Sequence, residues 1–172
     1  HITMTPFRFS PIRDESELMN AITYIHFACH TLCMQSMGRY LPVAGNIGVF
    51  SHYDEEYEFL KKLQAELTDL SQNVYGKYFL LHKPIVIPAK GEVPEATYKY
   101  LYIRKPDPEK YHVGDVDFYL EPTQYAELKQ ALQNGKIIRG ARKFPDRPNL
   151  DVVELYDDAI DAWGYIGDKK WY

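Results

Sequence analysis

Two stretches of this chain share one pattern, and this pattern constrains the fold more than any other feature. Segment 45–50 (GNIGVF) alternates as a strand does and leads into the helical motif Tyr57-x-x-Leu60-Lys61. Segment 114–119 (GDVDFY) leads in the same way into Tyr125-x-x-Leu128-Lys129. We expect two related strand–helix halves, at about residues 45–104 and 112–166, that arose by internal duplication. The alternative is chance, because any junction between a strand and an amphipathic helix gives part of this pattern.

The remaining segments predict an α+β fold. Strand patterns are expected at 78–87, 97–104, 137–143, 151–156 and 162–166, with Pro84 marking an edge or a bend in the first. In 97–104, the period of two places Tyr98, Tyr100 and Tyr102 on one face. We expect a mixed or mostly antiparallel sheet built from two strand–helix–strand half-repeats, plus a long buried N-terminal helix.

Helix signals mark three segments. Asp14 and Glu17 have capping-box spacing before an apolar helix at 15–37. Ser51 is the expected N-cap of the second helix. Pro122 is expected to open the third helix, and Gly135 to stop it.

The first helix carries His26, Cys29, His30 and Cys33 on one face. All four are zinc-ligand types, but one helix cannot surround an ion with four ligands. We therefore expect buried core residues, with metal binding through two of them as the alternative. A bridge between cysteines four apart would strain a helix, which indicates reduced thiols and a cytoplasmic protein.

Length and charge limit the function classes. The 172 residues fit one domain, and we interpret residues 1–3 as an expression scar, with Met4 as the native start of a single domain over 4–172. The formal net charge of −4 argues against nucleic acid as a partner. The most apolar stretch, 21–34, contains two histidines and is too short for a membrane span.

Two groups of polar residues are candidates for binding. Asp115 and Asp117 share one face of a strand, where we expect solvent, with a bound cation as the alternative. Arg104 follows Tyr100 and Tyr102 at a strand end, where they could form the wall of a pocket for an anionic ligand. The alternative for Arg104 is a solvated loop.

A third group carries a family resemblance. His112 precedes the second Gly-led strand, and Glu154 lies in the late segment 153–156 (VELY). This order resembles a module of the vicinal oxygen chelate superfamily, which comprises glyoxalases, dioxygenases and antibiotic-resistance proteins. The resemblance covers roughly residues 45–157 and implies paired βαβββ modules, with His112 and Glu154 as ligands of one divalent metal ion. The first half lacks a matching ligand pair, and segment 146–151 (DRPNLD) departs from the family's turn.

Two functions from different classes follow. The first is a small-ligand-binding or divalent-metal-dependent enzyme domain of paired βαβββ type, in which Tyr100, Tyr102 and Arg104 contact the ligand. The second is a non-catalytic protein-interaction module that forms a homodimer through the N-terminal helix.

Overall fold

The structure is a computed structural model that describes residues 7–69, 78–148 and 150–172. These residues form an α+β fold around one mixed, eight-stranded sheet, which confirms the predicted fold class. The helices are α1 (Glu15–Met37), α2 (Asp54–Leu67) and α3 (Pro122–Gln133). The strands are β1 (Val43–Phe50), β2 (Thr68–Asp69), β3 (Phe79–Ile87), β4 (Ala96–Arg104), β5 (Gly114–Leu120), β6 (Ala141–Lys143), β7 (Val153–Leu155) and β8 (Trp163–Asp168). A 3-10 turn, Lys169–Trp171, follows β8.

The sheet has the strand order β2-β3-β4-β1-β5-β8-β7-β6. In each half the first and last strands are parallel, β1 with β4 and β5 with β8. The other pairs within each half are antiparallel, and antiparallel β1 and β5 join the halves at the centre. The halves therefore share one topology, strand–helix–strand–strand–strand. Their origin by duplication stays a prediction.

Helix α1 has the predicted bounds, and it packs on the central strands. The Asp14 carboxylate accepts the Glu17 amide at 2.8 Å, and the helix ends at Gly38 with φ 71°. A Cβ atom on Gly114 would lie 2.4 Å from Ile25 Cδ1, so glycine at this position lets α1 approach β5 closely. Within the described residues, no helix is apolar over a length that could cross a membrane.

The histidines and cysteines of α1 are buried, as expected, and each has its own partner. The Cys29 and Cys33 thiols are unbridged and donate to the carbonyls of Trp163 and Arg39. The ring of His30 donates through Nδ1 to the His26 carbonyl at 2.7 Å. Across the described part of the chain, no group of three or more His, Cys, Asp or Glu residues is placed to hold a metal ion.

Tyr98 departs from the face predicted for it. Its hydroxyl lies 2.6 Å from His26 Nδ1, so its ring packs toward α1. Tyr100 and Tyr102 line the opposite face. The β1–β4 pairing begins at Asn46–Tyr100, and the β3–β4 register shifts between Leu80 and Ile85, next to Pro84. The regular alternation therefore does not extend back to Tyr98.

Two boundaries also differ from the sequence predictions. Helix α2 has Tyr53 at its N-cap, without a capping side chain, because the Ser51 hydroxyl donates to the Arg104 carbonyl at the end of β4. The strand predicted at 137–143 is reduced to β6. Gly135 and Gly140 adopt positive φ there, which turns the chain and leaves Ile137 93% exposed.

The segment before α1 is held by a buried polar cluster. The Glu56 carboxylate accepts the Ser10 hydroxyl at 2.9 Å and the backbone amides of Ile12 and His52, both at 2.6 Å. His52 Nδ1 lies 2.8 Å from the Ser10 hydroxyl, and its Nε2 donates to the His112 carbonyl at 3.0 Å. This cluster joins the start of the chain to α2 and to the second half.

Candidate functional site

A cavity of about 620 Å³ opens on the sheet face opposite α1. Alternation along β5 separates the two faces, because Gly114 contacts α1 while Asp115 and Asp117 line the cavity. The loop between β6 and β7 and the C-terminal residues complete the walls. The aromatic lining residues are Tyr78, Tyr100, Tyr102, Phe144, Tyr165, Trp171 and Tyr172.

Strand register places the floor of the cavity at the junction of the two halves. Gly48 is paired with Tyr102 on one side and with Asp115 on the other. Two residues along the strands, on the same face, Asn46 is paired with Tyr100, and Asp117 with Tyr165. The floor therefore combines side chains from four strands, with tyrosines flanking a polar centre.

Asp117 is only 8% exposed, and two hydrogen bonds hold its carboxylate in a fixed orientation. Its Oδ2 atom accepts the Asn46 side-chain amide at 3.1 Å and the Tyr78 hydroxyl at 3.0 Å. Both donors are neutral groups, and together they orient the carboxylate. The sequence-based expectation of a solvated face at Asp117 is therefore wrong, because β1 and the residues of the cavity wall cover it.

Gly48 makes room for the second carboxylate. A Cβ atom at Gly48 would lie 2.2 Å from Asp115 Oδ1 and 3.4 Å from Tyr102 Cδ1. The Asp115 side chain therefore lies across β1, which only glycine permits without a shift.

Three tyrosines of the cavity, Tyr78, Tyr102 and Tyr165, remain protonated over the neutral range. Burial raises the pKa of the Tyr78 and Tyr165 hydroxyls well above its usual value, and the nearby Asp115 and Asp117 charges raise it further. Burial and then Asp115 also raise the pKa of Tyr102. The Tyr78 hydroxyl donates to Asp117 and the Tyr165 hydroxyl is hydrogen-bonded to Glu154, so a protonated Tyr102 is the phenol that can donate to a ligand.

The outer wall contains a network of ion pairs. Lys129 Nζ bonds Asp146 and Asp151, each at 2.9 Å, and Lys143 Nζ bonds Asp146 at 2.7 Å. Hydrogen bonds from Lys143 and Lys129 lower the pKa of Asp146 to about 2. The Tyr125 hydroxyl, from the repeated motif in α3, donates to Asp151 at 2.6 Å. This network fixes the β6–β7 loop against α3.

Of the three predicted ligand contacts, two line the cavity and the third does not. Tyr100 and Tyr102 line the cavity. Arg104 lies outside the lining, with its guanidinium carbon 3.7 Å from the centre of the Phe50 ring. Its Nε and Nη2 atoms have no hydrogen-bond partner among the described residues.

The two predicted metal ligands have other contacts here. The ring of His112 stacks on Trp163 at 3.6 Å, and burial, followed by the Arg104 charge, lowers the pKa of His112 to about 4. Glu154 is 3% exposed and accepts two hydrogen bonds from the Arg142 guanidinium, with Nε at 2.8 Å. Metal binding by His112 and Glu154 stays a prediction.

Sequence reasoning missed Asn46 and Tyr78 as contributors to this site. Neither belongs to a motif that indicates chemistry, although Asn46 lies in the repeated segment 45–50, because their role depends on which strands become neighbours. A usable signal was present at Gly48, an unusual residue inside a central strand, which marks a close approach by another group.

Comparisons with known proteins address the fold. No family model matches the sequence, and no curated protein matches it either. A solved structure titled "Structural Genomics, Protein EC4020" aligns with a TM-score of 0.54 at 15% identity, over 99% of this chain and 96% of that chain. This similarity shows a shared fold over almost the whole of both chains.

Two further solved structures are variants of Streptomyces coelicolor methylmalonyl-CoA epimerase in complex with 2-nitronate-propionyl-CoA. Each aligns with a TM-score of 0.33 at 15% identity over 74% of this chain, and over 98% and 95% of its own chain.

Proposed function

We propose that this protein binds a small organic molecule in the cavity between Tyr102, Asp117 and Tyr165. The observation that carries the proposal is the combination of a preformed cavity of about 620 Å³ with polar groups fixed on its floor. Ligand sites of proteins are typically concave, of about 300–1,000 Å³, and mainly apolar with a few placed polar groups. The orientation of Asp117 by Asn46 and Tyr78 supports binding, because it reduces the entropic cost of holding a ligand.

A fragment screen by NMR tests this proposal. The screen uses the full chain labelled with ¹⁵N and a set of soluble cations, anions and neutral compounds. Hits are expected to shift the amide signals of Gly48, Asp115 and Asp117, which lie at the cavity floor.

Ala44→Trp is the blocking variant, because Ala44 lines the cavity. Ala126→Trp is the matched control on the exposed surface of α3. Binding should be lost in Ala44→Trp and kept in Ala126→Trp, while both variants give a cooperative thermal transition. The proposal would be rejected if the hits bind Ala44→Trp as tightly as wild type. It would also be rejected if no compound of the screen shifts the amide signals of the cavity floor.

The metal-dependent form of this function adds His112 and Glu154 as ligands of one divalent ion. Glu154 would have to exchange its Arg142 partner for the ion, so Arg142→Ala should strengthen metal binding while His112→Ala removes it. Metal analysis of protein purified without chelator, with melting curves in zinc, nickel and manganese, measures this. No bound metal and no change in melting temperature for wild type and Arg142→Ala would eliminate this form.

A further inference from the structure

Aromatic rings form most of the apolar surface of the cavity. Among the described lining residues, seven are aromatic and only three, Ala44, Leu150 and Val152, are aliphatic. The rings belong to different walls, with Tyr100 on β4 and Trp171 in the turn after β8. Aromatic pairs prefer offset or edge-on packing, and they gain stabilisation beyond the area that they bury. A ligand in this space therefore contacts ring faces and edges more than aliphatic side chains.

The charges of the lining do not call for a charged ligand. Each aspartate of the lining already interacts with other groups of the protein, as Asp117 does with two neutral donors and as Asp146 and Asp151 do with the lysines of the outer wall. Among the described lining residues, Arg147 is the one basic side chain against four aspartates. This excess of negative charge disfavours an anion. An uncharged ligand therefore fits the lining best.

The Tyr102 hydroxyl is a polar group that the lining offers to a ligand. It makes no hydrogen bond within the described part of the chain, in contrast to the Tyr78 hydroxyl, which donates to Asp117 at 3.0 Å. Burial, followed by the charge of Asp115, raises the pKa of Tyr102, so its hydroxyl stays a donor at neutral pH. Enclosed tyrosine hydroxyls usually have a hydrogen-bond partner. A neutral oxygen acceptor provides one without adding a second negative charge near Asp115.

We propose that the ligand of this cavity is an uncharged aromatic molecule that carries a carbonyl or ether oxygen. Its ring packs against the aromatic walls, Tyr100 among them, and its oxygen accepts a hydrogen bond from the Tyr102 hydroxyl. This inference rests on the proposed function, and it names the ligand class for that site. The volume of about 620 Å³ is that of sites for drug-sized ligands, so a fused ring system can enter as well as a single ring.

A matched series of probes tests the ligand class on the wild-type protein. Acetophenone has an aromatic ring and a neutral acceptor, and cyclohexyl methyl ketone has the same acceptor on a saturated ring. Benzoate and benzylammonium carry a negative and a positive charge on the aromatic ring. Dissociation constants come from NMR titration of the Gly48 and Tyr102 amides. Acetophenone is expected to bind at least about threefold more tightly than each of the other three.

Tyr102→Phe tests the hydrogen bond, because it removes the hydroxyl and keeps the ring. It should weaken the binding of acetophenone by about three- to tenfold. Ethylbenzene lacks an acceptor, so its affinity should change by less than about twofold, and the comparison cancels the difference in hydrophobicity between the two probes. Tyr111→Phe is the matched control at a 45% exposed position outside the lining, and it should leave both affinities unchanged.

Tyr100→Leu tests the packing of rings, because it keeps an apolar side chain and removes the aromatic one. It should at least halve the preference for acetophenone over cyclohexyl methyl ketone, roughly the gain of one aromatic pair. Tyr111→Leu is the matched control, in which the preference of wild type should be retained. Tyr102→Phe decides the test if Tyr100→Leu does not fold.

The outcomes separate this inference from the function on which it rests. Equal or tighter binding of cyclohexyl methyl ketone, benzoate or benzylammonium would overturn the ligand class and leave ligand binding intact. An equal effect of Tyr102→Phe on acetophenone and ethylbenzene would overturn the role of the hydroxyl. If no probe shifts the floor amides while compounds of the fragment screen do, the ligand class is wrong and the proposed function stands. If neither set shifts them, the proposed function is rejected as well.

Discussion

Gly48 shows at the scale of one residue how the sequence encodes the cavity. The residue lies in a central strand, where glycine weakens the fold, so a compensating role is expected. Its missing side chain leaves the space that the Asp115 carboxylate occupies beside Tyr102. The polar floor of the cavity therefore depends on the absence of a methyl group.

Gly48→Ala is expected to reduce ligand affinity more than stability. The new methyl group would collide with Asp115 Oδ1, so the carboxylate must rotate out of its place. We expect a loss of about 1–2 kcal/mol in the free energy of unfolding, typical of mild overpacking. Denaturant unfolding and titration with a cavity ligand measure the two effects.

A double-mutant cycle identifies the cause of the loss. In the Asp115→Ala background the collision is absent, so Gly48→Ala should cost much less stability there than in wild type. An equal cost in both backgrounds would mean that Asp115 is not the group that Gly48 accommodates.

At the scale of elements, the buried cluster around Glu56 connects the N-terminal segment to α2. Three donors converge on one carboxylate that is 3% exposed. Hydrogen bonds to a buried charged group contribute more than those between neutral groups, and their loss leaves donors without partners.

Glu56→Gln should lower the free energy of unfolding by about 2–3 kcal/mol, since one carboxylate oxygen becomes an amide that faces N–H donors. Hydrogen exchange should accelerate at the Ile12 amide, which donates to Glu56 Oε2 at 2.6 Å. Glu58→Gln, on the exposed side of the same helix, is the control and should have little effect. Similar losses in the two variants would contradict a specific role for Glu56.

The buried histidines of α1 make the packing of this helix sensitive to acid. Burial, followed by the charge of His30, lowers the pKa of His26 from 6.5 to about 3. Between these two values the unfolded chain binds a proton that the folded chain does not. Stability from His26 is therefore fully present above pH 6.5 and is lost as the pH falls toward 3.

His26→Gln tests this linkage. One proton corresponds to a slope of about 1.4 kcal/mol per pH unit in the free energy of unfolding, and the variant should remove about that slope between pH 6 and 4. His82→Gln, at an exposed position of β3, should retain the slope of wild type. Urea unfolding at several pH values gives the slopes, and an unchanged slope in His26→Gln would refute the assignment.

At the scale of the whole molecule, the sequence predicted the fold class well because periodicity and caps are local signals. The bounds of α1 follow from Asp14 and the apolar pattern, and the two Gly-led strands became the central pair β1 and β5. The cavity was only partly predictable. Tyr100 and Tyr102 could be named from their alternation, whereas Asn46 and Tyr78 join them only through the strand order and through Asp117.

The predictions for Asp117 and Tyr98 were wrong for the same reason, because the pattern of one strand does not show how it pairs and packs in the folded sheet. Asp117 was expected in solvent because the period of a strand does not tell which face another segment will cover. Tyr98 was placed with Tyr100 because a register shift is not visible in an alternating pattern. The homodimer through α1 stays a prediction. In the described chain, the buried residues of this helix already pack on the sheet.

The central claim is that the junction of the two halves forms a binding site for a small molecule. A crystal structure of the protein with the tightest compound of the screen tests it most directly. We expect ligand density on the cavity floor, in contact with Tyr102 and within hydrogen-bonding distance of the Asp117 carboxylate. Ligand density at another surface, with the floor between Tyr102 and Tyr165 unoccupied, would contradict it.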